Sequence, residues 1–599
     1  MPVDPYTWQL NDFVTASRLD NDLYAINALA YNPNGTRFHA RKPLYKAMQA
    51  ATGLSVNAGA YRGLFQSAGA NVLVDNSAYF GVQMDPDYAG IVQDGVSFSN
   101  GNPNLPQGGS GNLVGGGGGW YLVSAFAPLG GHDPNSPYRA NITNSTNGFP
   151  SGGPNLLSCP QACAGNANHD VTPWVCDLIY FDGGSYMPVA FNGAASAANL
   201  ATTIDGSGET SRFHAMWASV LPQYGFQVPG GPAPIQSWTG ANSHIGSAQL
   251  NSAIRNTLRV FNMPPALRVN AGNSGGNIPS GLGTNTTINL SSVQLDSYGG
   301  WNGSNTYTVP FDGIYLCYGA VSLQAAGSAM PARCGIKVNS TNKQGPVHQM
   351  AAGNNNNVAT VKLLDLQAGD TVQLIASQAS GSTVSCAGNI PPVLLLLWMG
   401  ARSGFPASLP SVPDLSYRYT AGLGAAGTTQ TAFNTGLGND LTFLYYRPFL
   451  LSKQGTAQAI SQGTNTVVTM DTVGGIIHSG TGDPYSGWDA VNTRYVAPRP
   501  GWYLATFEVF FGAPTLTSTP STIAQFRIST SAGVSNYDQY GHQNVPPSQS
   551  GGGASAMGYY YLRAGDWIEP VVQTQDTASG SFSTVTSPNS HFECIWVSE

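Results

Sequence analysis

Charge is what this sequence is short of. Asp, Glu, Lys and Arg make up only 9% of its 599 residues, and the net charge is −7. The 23 Lys and Arg are scattered, so no basic stripe exists to neutralise a phosphate backbone. That excludes nucleic acid as an expected partner. Long apolar runs are missing as well. The most hydrophobic stretch, PVLLLLWMG at 392–400, is too short to span a bilayer and reads as a core strand buried on both faces. The opening residues, MPVDPYTWQLNDF, lack the basic segment and apolar core of a signal peptide. The expectation is a chain made in a cytoplasm, without membrane insertion.

Cysteine and histidine are too sparse and dispersed for metal chemistry. The seven cysteines stand at 159, 163, 176, 317, 334, 386 and 594. Cys159 and Cys163, with His169 and Cys176, form the single metal-like grouping, but zinc sites favour two close pairs and here there is one. A loop disulfide or free thiols is the reading preferred over zinc. Cys317 and Cys594 fall inside strand-like runs and read as buried apolar residues, whereas Cys334 and Cys386 could pair. No metal and no cofactor is expected. Nucleophile elbows, zinc-protease helices, phosphate loops and dinucleotide fingerprints are absent from the sequence. The glycine-rich GGSGNLVGGGGGW at 108–120 leads into a strand and carries no lysine, which makes it a loop. Two carboxylates would suffice for glycoside hydrolysis. Yet acids such as Asp133 and Asp483, in DPNS and DPYS, have the context of turn formers.

Against these absences stand 74 glycines and an aromatic set of 28 Tyr, 23 Phe and 11 Trp. Short apolar runs between Gly, Asn, Ser, Thr and Pro clusters point to β-sandwiches, not to disorder. One pattern is written three times. Gly119-Trp120-Tyr121, Gly313-Ile314-Tyr315 and Gly501-Trp502-Tyr503 each open an apolar run. A turn glycine follows at Gly184, Gly369 and Gly565, and an apolar run with a tryptophan closes each unit at Trp217, Trp398 and Trp596. Upstream, each unit begins on a proline-led strand at Pro43, Pro264-Pro265 and Pro448. Marks in constant order at near-constant spacing mean one fold used three times.

The fold class expected is therefore all-β: three tandem jelly-roll sandwiches preceded by a short, partly helical N-terminal segment. Residues 1–40 form that segment, in which Thr15 or Ser17 caps a helix and Leu19, Leu23, Ile26 and Leu29 share one face. The sandwiches occupy 41–221, 241–401 and 415–599. The Pro/Gly-rich stretches 222–240 and 402–414 serve as extended linkers. Polar insertions at 98–119 and 130–176 are expected as long loops at one end of the first sandwich. Trp301 in GGWNG, Trp488 in YSGWD, and Tyr537 and Tyr540 in NYDQYGHQN are placed in polar loops. There they serve either as binding platforms or as lids on the core.

The marks resemble a known family. Tyr307-Thr308-Val309-Pro310-Phe311-Asp312-Gly313-Ile314-Tyr315 with Leu366-Gln367-Ala368-Gly369-Asp370-Thr371-Val372 looks like the globular head of complement and tumour-necrosis-factor-like proteins. The third unit repeats it from Tyr495 to Tyr503 and from Leu562 to Ile568. The first departs, with GGGGG before its Tyr121 and Ser185 where Asp370 and Asp566 stand. The resemblance implies ten-stranded jelly rolls that associate in threes. Asp370 and Asp566 are read as turn-closing residues.

A second resemblance lies at the start of the chain. Trp8, Phe13-Val14-Thr15-Ala16-Ser17-Arg18-Leu19-Asp20 and Asn32-Pro33, followed by a jelly roll, are similar to minor tail proteins of tailed phages infecting actinobacteria. It implies a virion structural protein, with an attachment segment bearing Trp8, Leu19, Leu23, Ile26 and Leu29. A tail or fibre role in host adhesion is expected, with other virion proteins and a host-surface glycan or protein as partners. A capsid decoration protein and a surface-polysaccharide depolymerase are the alternatives. Three sandwiches can form a threefold unit as a homotrimer, the arrangement favoured from sequence, or as a pseudo-trimer within one chain.

Overall fold

The glycine-opened runs become the central strands of three similar sheets. In the computed structural model they span Gly119–Phe126, Gly313–Leu323 and Gly501–Phe510. The structure describes residues 264–405 and 445–598 with short breaks, Val260, and the strands between 44 and 219. In that first region, side chains are described for Trp120, Leu122–Ser124, Trp174–Ile179 and Ala218. The N-terminal segment with Trp8, Leu19, Leu23, Ile26 and Leu29 lies outside the described residues, as does the stretch 222–240.

Each sheet has the same order: a lead strand, a closing strand, the central strand, then a flank strand. The lead strands are Leu44–Met48, Ala266–Asn270 and Phe449–Lys453, and the closing strands Ser211–Ser219, Val393–Gly400 and His591–Ser598. The flank strands are Trp174–Phe181, Asn356–Leu366 and Gly553–Leu562. All pairings are antiparallel, and the registers repeat. Gly119 faces Phe181, Gly313 faces Leu366 and Gly501 faces Leu562. Tyr121, Tyr315 and Tyr503 face Trp217, Trp398 and Trp596, each beside a bulge. The chain is all β, with sandwiches built on one plan.

The recurring marks turn out to be one packing device. Trp398 Nε1 donates to Asp312 O at 3.2 Å, and Trp596 Nε1 to Pro500 O at 3.0 Å. The tyrosines stitch the same loops, through Tyr315 Oη to Phe311 O and Tyr503 Oη to Arg499 O, both 2.7 Å. A Cβ on Gly313 would lie 2.1 Å from Trp398 Nε1, so glycine is what lets the indole reach the loop. Asp370 and Asp566 close their turns by accepting the N–H of Gln367 (2.8 Å) and Arg563 (2.9 Å). Gly369 and Gly565 supply the positive φ of 89° and 90°.

The run at 392–400 is a strand, Val393–Gly400, buried at every position. Cys317 and Cys594 are buried on strands as read. Cys334 and Cys386, which could have paired, are not bonded to each other; Cys334 Sγ lies 3.3 Å from Val358 O instead.

Two expectations are corrected. The polar insertions are not plain loops: Val96–Ser99, Asn112–Gly115, Pro137–Ile142 and Leu157–Ala162 are strands of the first unit's further sheets. Their Asn, Ser and Gly content hid the alternation that marks a strand. The start of the second linker is not a free spacer either. Phe405 packs on Tyr446, Phe449 and Tyr485 with ring centroids 5.3, 5.5 and 5.7 Å away.

Candidate functional site at the junctions between units

Trp301 and Trp488 occupy equivalent places and are held in the same way. Asp296 accepts the N–H of Gly300 (3.1 Å) and Trp301 (2.9 Å); Asp483 accepts those of Gly487 (3.1 Å) and Trp488 (2.7 Å). Both indoles are half-buried against the core, Trp488 with its centroid 6.3 Å from Phe592. Their environment is that of lids. Tyr537 and Tyr540 are on a strand, Ser535–Asn544, where a loop was expected, and pair across to Arg527 and Ala524. The structure does not gather these four aromatics into one site.

What it does gather is charge, buried where units meet. The flank strand of unit 2 lies against the central, flank and closing strands of unit 3. There Lys362 Nζ forms a short ion pair with Glu508 Oε2 and lies 2.7 Å from His591 Nε2. Glu508 Oε1 accepts from Thr360 Oγ1 at 2.7 Å, Val361 N at 3.2 Å and Ser555 Oγ at 3.3 Å. His591 Nδ1 is 2.5 Å from Glu593 Oε1.

These side chains are at most 2% exposed. Burial alone would raise the Glu508 carboxyl, but Lys362 and His591 outweigh it and hold it below its ordinary value. Burial disfavours the His591 imidazolium, yet Glu593 and the Glu508 contact raise its pKa overall. His348 nearby is pushed down to about 4, chiefly by burial.

A second contact locks the same junction. Asp365 Oδ1 accepts the N–H of Ile476 (2.7 Å) and Ile477 (2.8 Å), and Oδ2 that of His478 (3.0 Å). Successive backbone N–H groups closing on a carboxylate form an anion nest, here filled by a side chain of the neighbouring unit. His478 Nε2 also meets Asp370 Oδ2 at 2.7 Å, and Lys343 Nζ donates to Ile476 O at 2.8 Å. Val347 N donates to Gly551 O at 2.8 Å, so backbone crosses the junction too.

At the junction of units 1 and 2 the described residues show one ion pair. Asp177, wholly buried, receives Arg268 Nε (3.0 Å) and Nη2 (2.9 Å) as a fork, and Trp174 packs edge-on to Tyr318 at 5.8 Å. Burial raises the Asp177 carboxyl, and Arg268 offsets this only in part.

Sequence reading passed over Asp177, Lys362, Glu508, His591 and Glu593. A signal was there: in so uncharged a chain, they sit among apolar strand residues, in WVCDLIYF, VATVKLLDL, TFEVFF and HFECIW. Among the described residues no group of His, Cys, Asp and Glu could hold a metal ion. Nor is any helix there long and apolar enough to cross a membrane.

No protein family and no curated protein matches the chain. Among solved structures it is similar to murine APRIL, at 14% identity and a TM-score of 0.18 over 22% of this chain and 97% of that one. It is also similar to the globular domain of zebrafish complement 1qA, at 12% identity and a TM-score of 0.16 over 25% and 98%.

Proposed function

We propose that this chain is a phage virion structural protein, a minor tail or fibre-type component contributing to host-surface adhesion, which works by binding and not by catalysis. The observation that carries this reading is where the reactive side chains go. Glu508, Glu593, His591 and Lys362, the groups an acid–base enzyme would gather in a cleft, are at most 2% exposed and hold two units together. Outer sheets and loops are left for contact with neighbouring virion proteins or a host glycan or protein, where repeated weak contacts add up. The N-terminal likeness of Trp8 and Thr15–Asp20 to phage tail proteins supplies the setting.

One outer face has the composition of a contact surface. On unit 3, Trp567 is flanked by Arg494 and Arg527, whose guanidinium carbons lie 5.0 and 5.7 Å from its ring centroid. Tyr537 pairs with Arg527 on the adjoining strand. Purified chain added to host cells ahead of phage is expected to leave more phage unadsorbed. Unchanged adsorption, with the chain saturating the cells, would reject the adhesion role.

A further inference from the structure

Asp177, Lys362 and Gly558 hold one and the same register position. Each is on a flank strand and faces the fourth residue after its unit's opening glycine: Val123, Cys317 and Ala505 respectively. One place in the repeated fold thus carries a negative charge, a positive charge and none. The two charged residues are buried, and each finds its counter-charge on the next unit: Asp177 on Arg268, Lys362 on Glu508. Buried charges demand a partner, so these positions restrict which unit can sit beside which.

The receiving positions are equally particular. The place of Arg268 is taken in unit 3 by Leu451 and in unit 1 by Tyr45, as the closing-strand pairings align them. The place of Glu508 is taken in unit 2 by Ala320 and in unit 1 by Phe126. Asp177 therefore has a cation waiting on unit 2 alone, and Lys362 an anion on unit 3 alone. At these three positions units 3 and 1 carry uncharged residues: Gly558 on one, Tyr45 and Phe126 on the other. Cys176 on the flank strand of unit 1 and Tyr559 on that of unit 3 belong to the same buried cluster. A single hydrophobic core runs through all three units.

We propose that the three units close on one another within a single chain, in the fixed order 1 to 2 to 3 to 1. The residue at this one flank register, minus, plus and neutral, is the address that sets the order. The partner each surface fits is the next unit of the same chain. A homotrimer of chains aligned domain by domain would set Lys362 against Ala320 and Asp177 against Tyr45. Buried charges would be stranded at every such contact. Negative design of this kind rejects wrong neighbours more than it strengthens right ones.

Charge exchange across the first junction tests the proposal. Asp177→Arg alone and Arg268→Asp alone are expected to lower the melting temperature, and the two together on one chain to restore it. Co-expressing the two single variants should give no rescue, because each chain pairs with itself. Rescue by co-expression would overturn the proposal. Should the variants fail to fold, wild-type chains of two isotope labels, unfolded and refolded together, give the answer by cross-linking. Links between unit 1 and unit 2 are expected within one label. Mixed-label links in proportion to mixing would overturn it.

Discussion

The two described junctions use the same strand at the same register and treat their buried acid in opposite ways. Among the described residues Asp177 meets one guanidinium and the Leu178 N–H, and its carboxyl is raised, because these do not outweigh burial. Glu508 meets an ammonium, an imidazole, two hydroxyls and a backbone N–H, and its carboxyl is lowered. Burial is nearly complete in both. The difference is donor number, which decides whether a buried charge is tolerated or favoured.

The largest effect is expected at the donor-rich junction. Glu508→Ala leaves Lys362 and His591 buried without their shared anion and should cost about 3–5 kcal/mol in denaturant unfolding. An effect below that of Asp177→Asn would break the comparison. Asp177→Asn should cost less, about 1–3 kcal/mol, because Arg268, 14% exposed, can turn part of its charge to water.

Titration separates the junctions by sign. The His591 pKa is raised in the fold, so its contribution is complete below the ordinary value of 6.5 and is lost as pH rises through the raised value. Glu508, with a lowered value, contributes above its ordinary 4.5 and loses this as pH falls through the folded value. Asp177 runs the other way, its junction gaining as pH falls through its raised value toward 3.8. His591→Gln should therefore flatten the fall in stability above pH 6.5. Lys362, Glu508 and Glu593 surround position 591 in wild type and variant alike, and His348, pushed down to about 4, acts on the acid side of both. A melting temperature with the same slope in both proteins would remove His591 from the account. The smallest effect is expected on the outer sheet, where Arg494 is 29% exposed. Arg494→Ala should cost about 0.5–1 kcal/mol through its contact with Trp567.

Much of the fold was legible because the marks that repeat are the ones packing requires. Tyr315 and Trp398 bond one loop, and Tyr503 and Trp596 do the same in unit 3. The strands at Asn112–Gly115 and Leu157–Ala162 were hidden because glycine, asparagine and serine carry no alternation to read. The junctions were hidden for another reason. Spacing along one strand tells which residues share a face, but not that the face meets another unit. Lys362 and Glu508 lie far apart in sequence, and each taken alone is an unexplained charge in an apolar run. Tyr537 and Tyr540 misled because a polar segment was equated with a loop, whereas an edge strand can be polar throughout.

The central claim is that one chain closes its own threefold arrangement. Light scattering on the full chain at high concentration tests it most directly. A mass of 62.5 kDa, unchanged on dilution, is the result predicted. A mass of three chains that dissociates on dilution would contradict it.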